Sequence, residues 1–136
     1  TPGALQAVIA RGGEDVTLIC YGPMVDTCLE AAKEASQEGR KLEVIDVRSL
    51  SPLDMATVYE SVRRTTRAIV VQEAPRTQGV GAEIAARLGE ELYYVMEAPV
   101  LRVTGWSTPY PPAKAEGEHI PDVDRILDAV DRSLAF

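Results

Sequence analysis

The stretch from Val70 to Ile84, VVQEAPRTQGVGAEI, is where this chain could do chemistry. An apolar run stops at Glu73 and Pro75, glycines follow at 79 and 81, and a helical pattern begins. A strand, a loop and a helix N-terminus in that order can hold a phosphate on free backbone N–H groups. A dinucleotide fingerprint needs GxGxxG directly after the first strand of a βαβ unit, with an acidic residue about 20 positions on. Gly79 and Gly81 fit the first two positions, but Ile84 stands at the third, and the long loop follows the fourth apolar run. No Gly-Lys-Ser or Gly-Lys-Thr is present, which excludes a P-loop. Gly79 and Gly81 are at most a weak anion site. The favoured reading is that they let the chain turn and pack closely.

Glu73 sits at the carboxyl end of that run, where sites form in open parallel sheets. General acid–base work would need a partner, and the sole histidine, His119, is remote in sequence. No Ser-His-Asp set and no paired carboxylates can be assembled, so an interface or loop-fixing role is expected for Glu73. His119 reads as a surface or packing residue. Trp106 and Tyr110, among prolines, either bind a peptide or cap the core edge, the second being favoured. Cys20 and Cys28 form no CxxC or Cys/His cluster, so a metal site has no support and two free thiols are expected.

With 136 residues, 46% hydrophobic and 26% charged, the chain fits one globular domain over 1–136. The net charge of -7 argues against a nucleic-acid partner, which needs concentrated Lys and Arg. It favours basic partners or simply keeps the domain soluble. No run approaches the roughly 18 apolar residues of a membrane helix. TPGALQAVIARGGEDV lacks the basic start and apolar core of a secretory signal, so a cytosolic or matrix-like compartment is expected.

The elements alternate. ALQAVIARG reads as a partly polar first strand, DVTLICYG as a buried second, and KLEVIDVRSL as a third. Between the last two, Val25, Cys28, Leu29 and Ala32 share one helical face, closed by Gly39. Ser51-Pro52-Leu53-Asp54 predicts a helix start with Ser51 as cap, Pro52 at the first position and Asp54 reaching back. Met55, Val58, Tyr59 and Val62 form its apolar stripe. RAIVVQEA is the most continuously apolar strand, as a central parallel strand covered on both faces should be. A helix from Gly81 carries Ile84, Ala85, Leu88 and Leu92; PVLRVTG is a fifth strand. After an irregular stretch, a last helix carries Val123, Ile126, Leu127, Val130 and Leu134, with Asp122 and Asp124 near its start complementing the dipole. The fold class is α/β, with a five-stranded mixed sheet between helical layers. The first connection is too short for a parallel crossover of a dozen residues or more, so the first strand is antiparallel or pairs elsewhere.

Five segments, EDVTLICYG, EVIDVRSLSPLD, VVQEAPRTQGVGAEIAARL, EAPVLRVTG and STPYPP…HIPDVDRILDAVDRSL, occur in this order over essentially the whole chain. Together they resemble the C-terminal domain of the beta subunit of thiamin-diphosphate-dependent 2-oxoacid dehydrogenases, in the transketolase-like superfamily. The ending PYPPAKAEGEHIPDVDRILDAVDRSL looks most like the branched-chain enzyme, with the pyruvate enzyme next. The resemblance implies a three-layer α/β/α sandwich with an antiparallel first strand. It implies an α2β2 assembly with an alpha subunit and a second beta subunit, and docking to the subunit-binding domain of a lipoyl acyltransferase. Thiamin diphosphate and Mg2+ would be held by the rest of that enzyme, so no catalytic or cofactor residue is carried onto this chain. The resemblance places Gln72, Glu73 and Pro75 near a subunit boundary. It makes Asp128, Asp131 and Phe136 candidates for acyltransferase docking, within a tail that also carries Glu116, Glu118, Asp122 and Asp124. Two positions depart from the family. Gln72 stands where histidine is frequent, leaving hydrogen bonding rather than proton transfer, and Ser107 stands where an acid is usual.

Overall fold

A computed structural model describes residues 6–75, 79–105 and 120–136. Five strands, β1 (Val8–Arg11), β2 (Val16–Cys20), β3 (Leu42–Asp46), β4 (Ala68–Pro75) and β5 (Leu101–Gly105), form one sheet in the order β1-β3-β2-β4-β5. β1 runs antiparallel to β3, pairing Val8 with Asp46 and Ile9 with Ile45, and the remaining pairs are parallel. The antiparallel first strand is therefore borne out, and its partner is β3 rather than β2.

The short link between β1 and β2 steps across the end of β3. Neighbouring strands lie about 4.8 Å apart, so the step is only about 10 Å. Gly13 makes it possible, because a Cβ there would sit 2.4 Å from the Leu42 carbonyl carbon. The link is tied down when Glu14 and Asp15 donate their N–H groups to the Lys41 carbonyl, at 3.2 and 2.9 Å. Lys41 N–H returns a bond to Asp15 Oδ2 at 2.7 Å.

Helices α1 (Met24–Gln37) and α4 (Val123–Leu134) cover one face of the sheet, and α2 (Met55–Thr65) and α3 (Gly81–Glu91) the other. Alternation along the central strands divides the core accordingly. Leu18, Cys20, Val44, Ile69 and Val71 meet Cys28, Ala32, Ile126 and Val130; Ile19, Ile45 and Val70 meet Val58, Val62, Ile84 and Leu88. Ala68 to Val71 are all fully buried, as expected of a central strand covered on both sides.

Helix ends follow local chemistry, with one correction. Gly39 lies beyond α1 at φ +81°, with its N–H on the Ser36 carbonyl, as its position predicts. The cap of α2, however, is Asp54 and not Ser51. Asp54 Oδ1 accepts from Thr57 N at 3.2 Å and Oδ2 from the Thr57 hydroxyl at 2.7 Å. Ser51 and Pro52, joined by a cis peptide bond, lie in a turn flanked by a Leu50–Leu53 bridge, so the chain is not yet helical there. Asp54 also accepts the Ala7 N–H at 3.0 Å, fixing the segment before β1.

Beneath α2 the core is polar. Glu43, 3% exposed, accepts from the Ser61 hydroxyl and from Arg64 Nη2 at 2.7 Å. Thr17 Oγ1 lies 2.8 Å from Ser61 Oγ and 2.7 Å from Thr65 Oγ1. With the Ser61 proton on Glu43 and the Thr65 proton on the Arg67 carbonyl at 3.1 Å, the single Thr17 proton goes to Ser61 or to Thr65. The carboxylate is thus paired and hydrogen-bonded, the condition under which burying a charge is tolerable.

Candidate functional site: the junction of β4 and α3

The ladder between β4 and β5 breaks at the carboxyl end. Val71 pairs with Val103 and Pro75 with Gly105, so Gln72, Glu73 and Ala74 stand against Thr104 alone. A bulge of this kind re-aims side chains. Here the Gln72 side chain turns inward and is fully buried, while Glu73 is exposed.

The Gln72 carboxamide occupies the N-terminus of α3. Its Oε1 accepts the Gly81 N–H at 2.7 Å, and its Nε2 donates to the Ala74 carbonyl at 3.3 Å. The Tyr21 hydroxyl donates to the same Oε1 at 3.4 Å. Burial pushes the Tyr21 hydroxyl above its usual pKa, and the Val80 N–H only partly offsets that. The glycines are the counterpart of this plug. A Cβ at Gly81 would lie 2.5 Å from Gln72 Oε1 and 2.9 Å from its Cδ. A Cβ at Gly79, whose φ is +76°, would lie 2.9 Å from Oε1 and 3.0 Å from the Tyr21 oxygen. One orphan amide of this helix start, that of Gly81, is thus met by an uncharged side chain, without burying a charge. The Gly81 amide, which an anion at Gly79–Gly81 would use, is already committed to Gln72.

Among its described residues the junction offers hydrogen bonding. Glu73 faces solvent, Gln72 is neutral, and among the described residues no His, Cys, Asp or Glu cluster could hold a metal ion. Arg76, Thr77, Gln78, Trp106, Ser107, Tyr110, Glu116, Glu118 and His119 lie outside the described residues, as does the side chain of Pro75. Cys20 and Cys28 are both buried and free. Hydrogen bonding to Cys28, then burial, raises the Cys20 thiol far above its usual range.

The C-terminal helix places the acidic residues apart from this junction in the chain and engages two of them internally. Asp128 pairs with Arg132 at 3.1 Å, and Asp131 pairs with Arg40, just beyond α1. Asp122 caps α4 by accepting from Arg125 N at 2.8 Å. Phe136 is 67% exposed. A feature that sequence reasoning missed lies past α3. Tyr93 and Tyr94 meet edge to face, Tyr94 is 97% exposed, and beside them opens an apolar pocket of about 420 Å³ lined by Met96, Ala98 and Val100. The signal was the paired tyrosines directly after Leu92, where the apolar stripe ends.

The fold and junction define a class: an α/β/α domain in which the Gln72 side chain from the end of β4 occupies the start of α3. The chain belongs to the transketolase C-terminal domain family, whose model matches residues 5–126. It is 54% identical over 128 residues to the pyruvate dehydrogenase E1 component subunit beta of Leifsonia xyli subsp. xyli, covering 94% of this chain and 38% of that protein. It is 50% identical over 130 residues to the 3-methyl-2-oxobutanoate dehydrogenase subunit beta of Mycobacterium tuberculosis, covering 95% and 37%. The chain thus spans well under half the length of these curated relatives. Among solved structures it matches a split-gene transketolase described as an inactive beta4 tetramer, with TM-score 0.84 and 29% identity, over 98% of this chain and 42% of that one.

Proposed function

We propose that this chain is the C-terminal assembly domain of the beta subunit of a thiamin-diphosphate-dependent 2-oxoacid dehydrogenase. The observation that carries this reading is the likeness, at 50–54% identity over nearly the whole chain, to beta subunits of two such enzymes. The junction of β4 and α3 supports a role in assembly rather than catalysis, since its donors and acceptors satisfy one another. In this reading Gln72, Glu73 and Pro75 lie at the boundary with a second beta subunit, within an assembly that also contains alpha subunits. Asp128, Asp131 and Phe136 belong to a docking surface for the basic subunit-binding domain of the lipoyl acyltransferase. Charge complementarity there would set association rate and specificity.

The domain holds no cofactor of its own in this account. A diphosphate needs free amides or cations, and at the start of α3 the Gly81 amide is taken by a neutral side chain. Mg2+ needs converging oxygen ligands, and the described residues offer no such cluster. Thiamin diphosphate and Mg2+ are assigned, as the resemblance implies, to other parts of the intact enzyme. Bacterial relatives support a cytoplasmic setting. Among the described residues no helix is long and apolar enough to cross a membrane.

The finer substrate reading is branched-chain 2-oxoacids, on the strength of the C-terminal stretch. Pyruvate is the second reading, favoured by the 54% identity to a pyruvate dehydrogenase subunit. Turnover of 3-methyl-2-oxobutanoate against pyruvate by the reconstituted alpha–beta enzyme separates them. A higher kcat/KM for the branched acid supports the first, and a higher value for pyruvate overturns it.

A further inference from the structure

We infer that Gln72, seconded by Tyr21, is the positioning residue that sets the exposed Glu73 for contact with a second copy of the subunit. This rests on the proposal that the end of β4 faces that copy. In the bulge, three residues of β4 oppose one of β5, so the regular ladder does not fix the direction of Glu73. The Gln72 side chain supplies the missing restraint twice. Its Nε2 reaches the Ala74 carbonyl and so brackets Glu73 on its own strand. Its Oε1 takes the Gly81 N–H and so ties that bracket to the first turn of α3. Tyr21, just past the end of β2, completes the clasp by donating its hydroxyl to Oε1. The glycines at 79 and 81 leave the space the carboxamide fills. Strand β2, strand β4 and helix α3 thus meet at one buried amide, and the residue next to it is the one presented to solvent.

A residue that only stabilised the fold would change melting and leave the association of folded protein untouched. A positioning residue changes the association constant of protein that is fully folded. The test is sedimentation equilibrium of the full-length protein carrying this domain, at a temperature where circular dichroism shows every variant folded. Gln72→Met removes both amide bonds at similar length and should weaken self-association about tenfold, equivalent to about 1.4 kcal/mol. Tyr21→Phe, the milder variant should Gln72→Met fail to fold, should weaken it about threefold, equivalent to about 0.65 kcal/mol. Gln72→His at pH 8 carries one acceptor and one donor on a neutral ring and should restore association to within about threefold of the parent. Glu73→Lys tests the boundary itself. If Glu73→Lys weakens association while Gln72→Met and Tyr21→Phe do not, the positioning role is overturned and the boundary stands. If Glu73→Lys leaves association unchanged, the boundary reading fails and the inference fails with it.

Discussion

Two glycines of the same helix should respond to alanine with opposite signs. At Gly81 a new Cβ would meet Gln72 Oε1 at 2.5 Å and Cδ at 2.9 Å, and Gln72 is fully buried. Alanine in a helix gains up to about 1 kcal/mol over glycine, and less at a first position. Against that gain, displacing the carboxamide unmakes the 2.7 Å bond to the Gly81 N–H, which costs about 1–3 kcal/mol when the groups stay buried. Overpacking adds about 1–3 kcal/mol. Gly81→Ala should therefore lose about 1–6 kcal/mol, the net of these three effects. Gly89 lies near the end of the same helix, and a Cβ there meets nothing within 4 Å. Gly89→Ala should gain up to about 1 kcal/mol. Urea unfolding measures both, provided the slope m stays constant so that the midpoint reports stability. A Gly81→Ala protein as stable as its parent would refute the seating of Gln72 against α3. Destabilisation of equal size at both glycines would refute the reasoning from space.

Four other outcomes follow from named groups. Burial works against the Asp54 carboxylate, but hydrogen bonds from Thr57 and the N–H groups of Ala7 and Ala56 outweigh it and hold its pKa below 3.8. Its contribution is complete above the unfolded value and fades as pH falls through the folded one. Parent and Asp54→Asn should thus differ most in stability near neutrality and converge below about pH 3.8, a gap that stays constant being the contrary result. Cys20 and Cys28 are buried with no thiolate favoured at Cys20, so iodoacetamide at pH 8 should label them only after unfolding, and rapid labelling of folded protein would contradict this. Charge reversal at Asp128 and Asp131 should weaken capture of the acyltransferase's subunit-binding domain at low salt, with unchanged affinity counting against docking. Arg40→Gln, which frees Asp131 from its partner, should leave that capture intact or strengthen it.

Much of the architecture is written in local pattern. Ala68 to Val71 read as a covered central strand because four apolar residues in succession have no polar face to offer water. The short link after β1 foretold an antiparallel strand from chain length alone. The start of α2 misled because Ser51-Pro52 has the composition of a helix cap, whereas Asp54 directly precedes the apolar stripe and takes the Thr57 amide. The junction was half legible. Gly79 and Gly81 read as packing glycines, but the object they pack against is Gln72, seven and nine residues earlier. The inward turn of Gln72 depends on the register of β4 with β5, which no spacing within one strand reveals. Thr17, Glu43, Ser61 and Thr65 were equally hidden, since a polar network is recognised only when its partners from different elements meet.

The central claim is that this domain assembles a 2-oxoacid dehydrogenase and leaves cofactor chemistry to the rest of the enzyme. Calorimetric titration with thiamin diphosphate and Mg2+, run on this chain alone and on the reconstituted full-length alpha–beta enzyme, tests it most directly when paired with 2-oxoacid turnover. The account predicts no saturable binding and no turnover by the chain alone, and both by the reconstituted enzyme. Saturable cofactor binding by the isolated chain, or a reconstituted enzyme that leaves every 2-oxoacid unconverted, would contradict it.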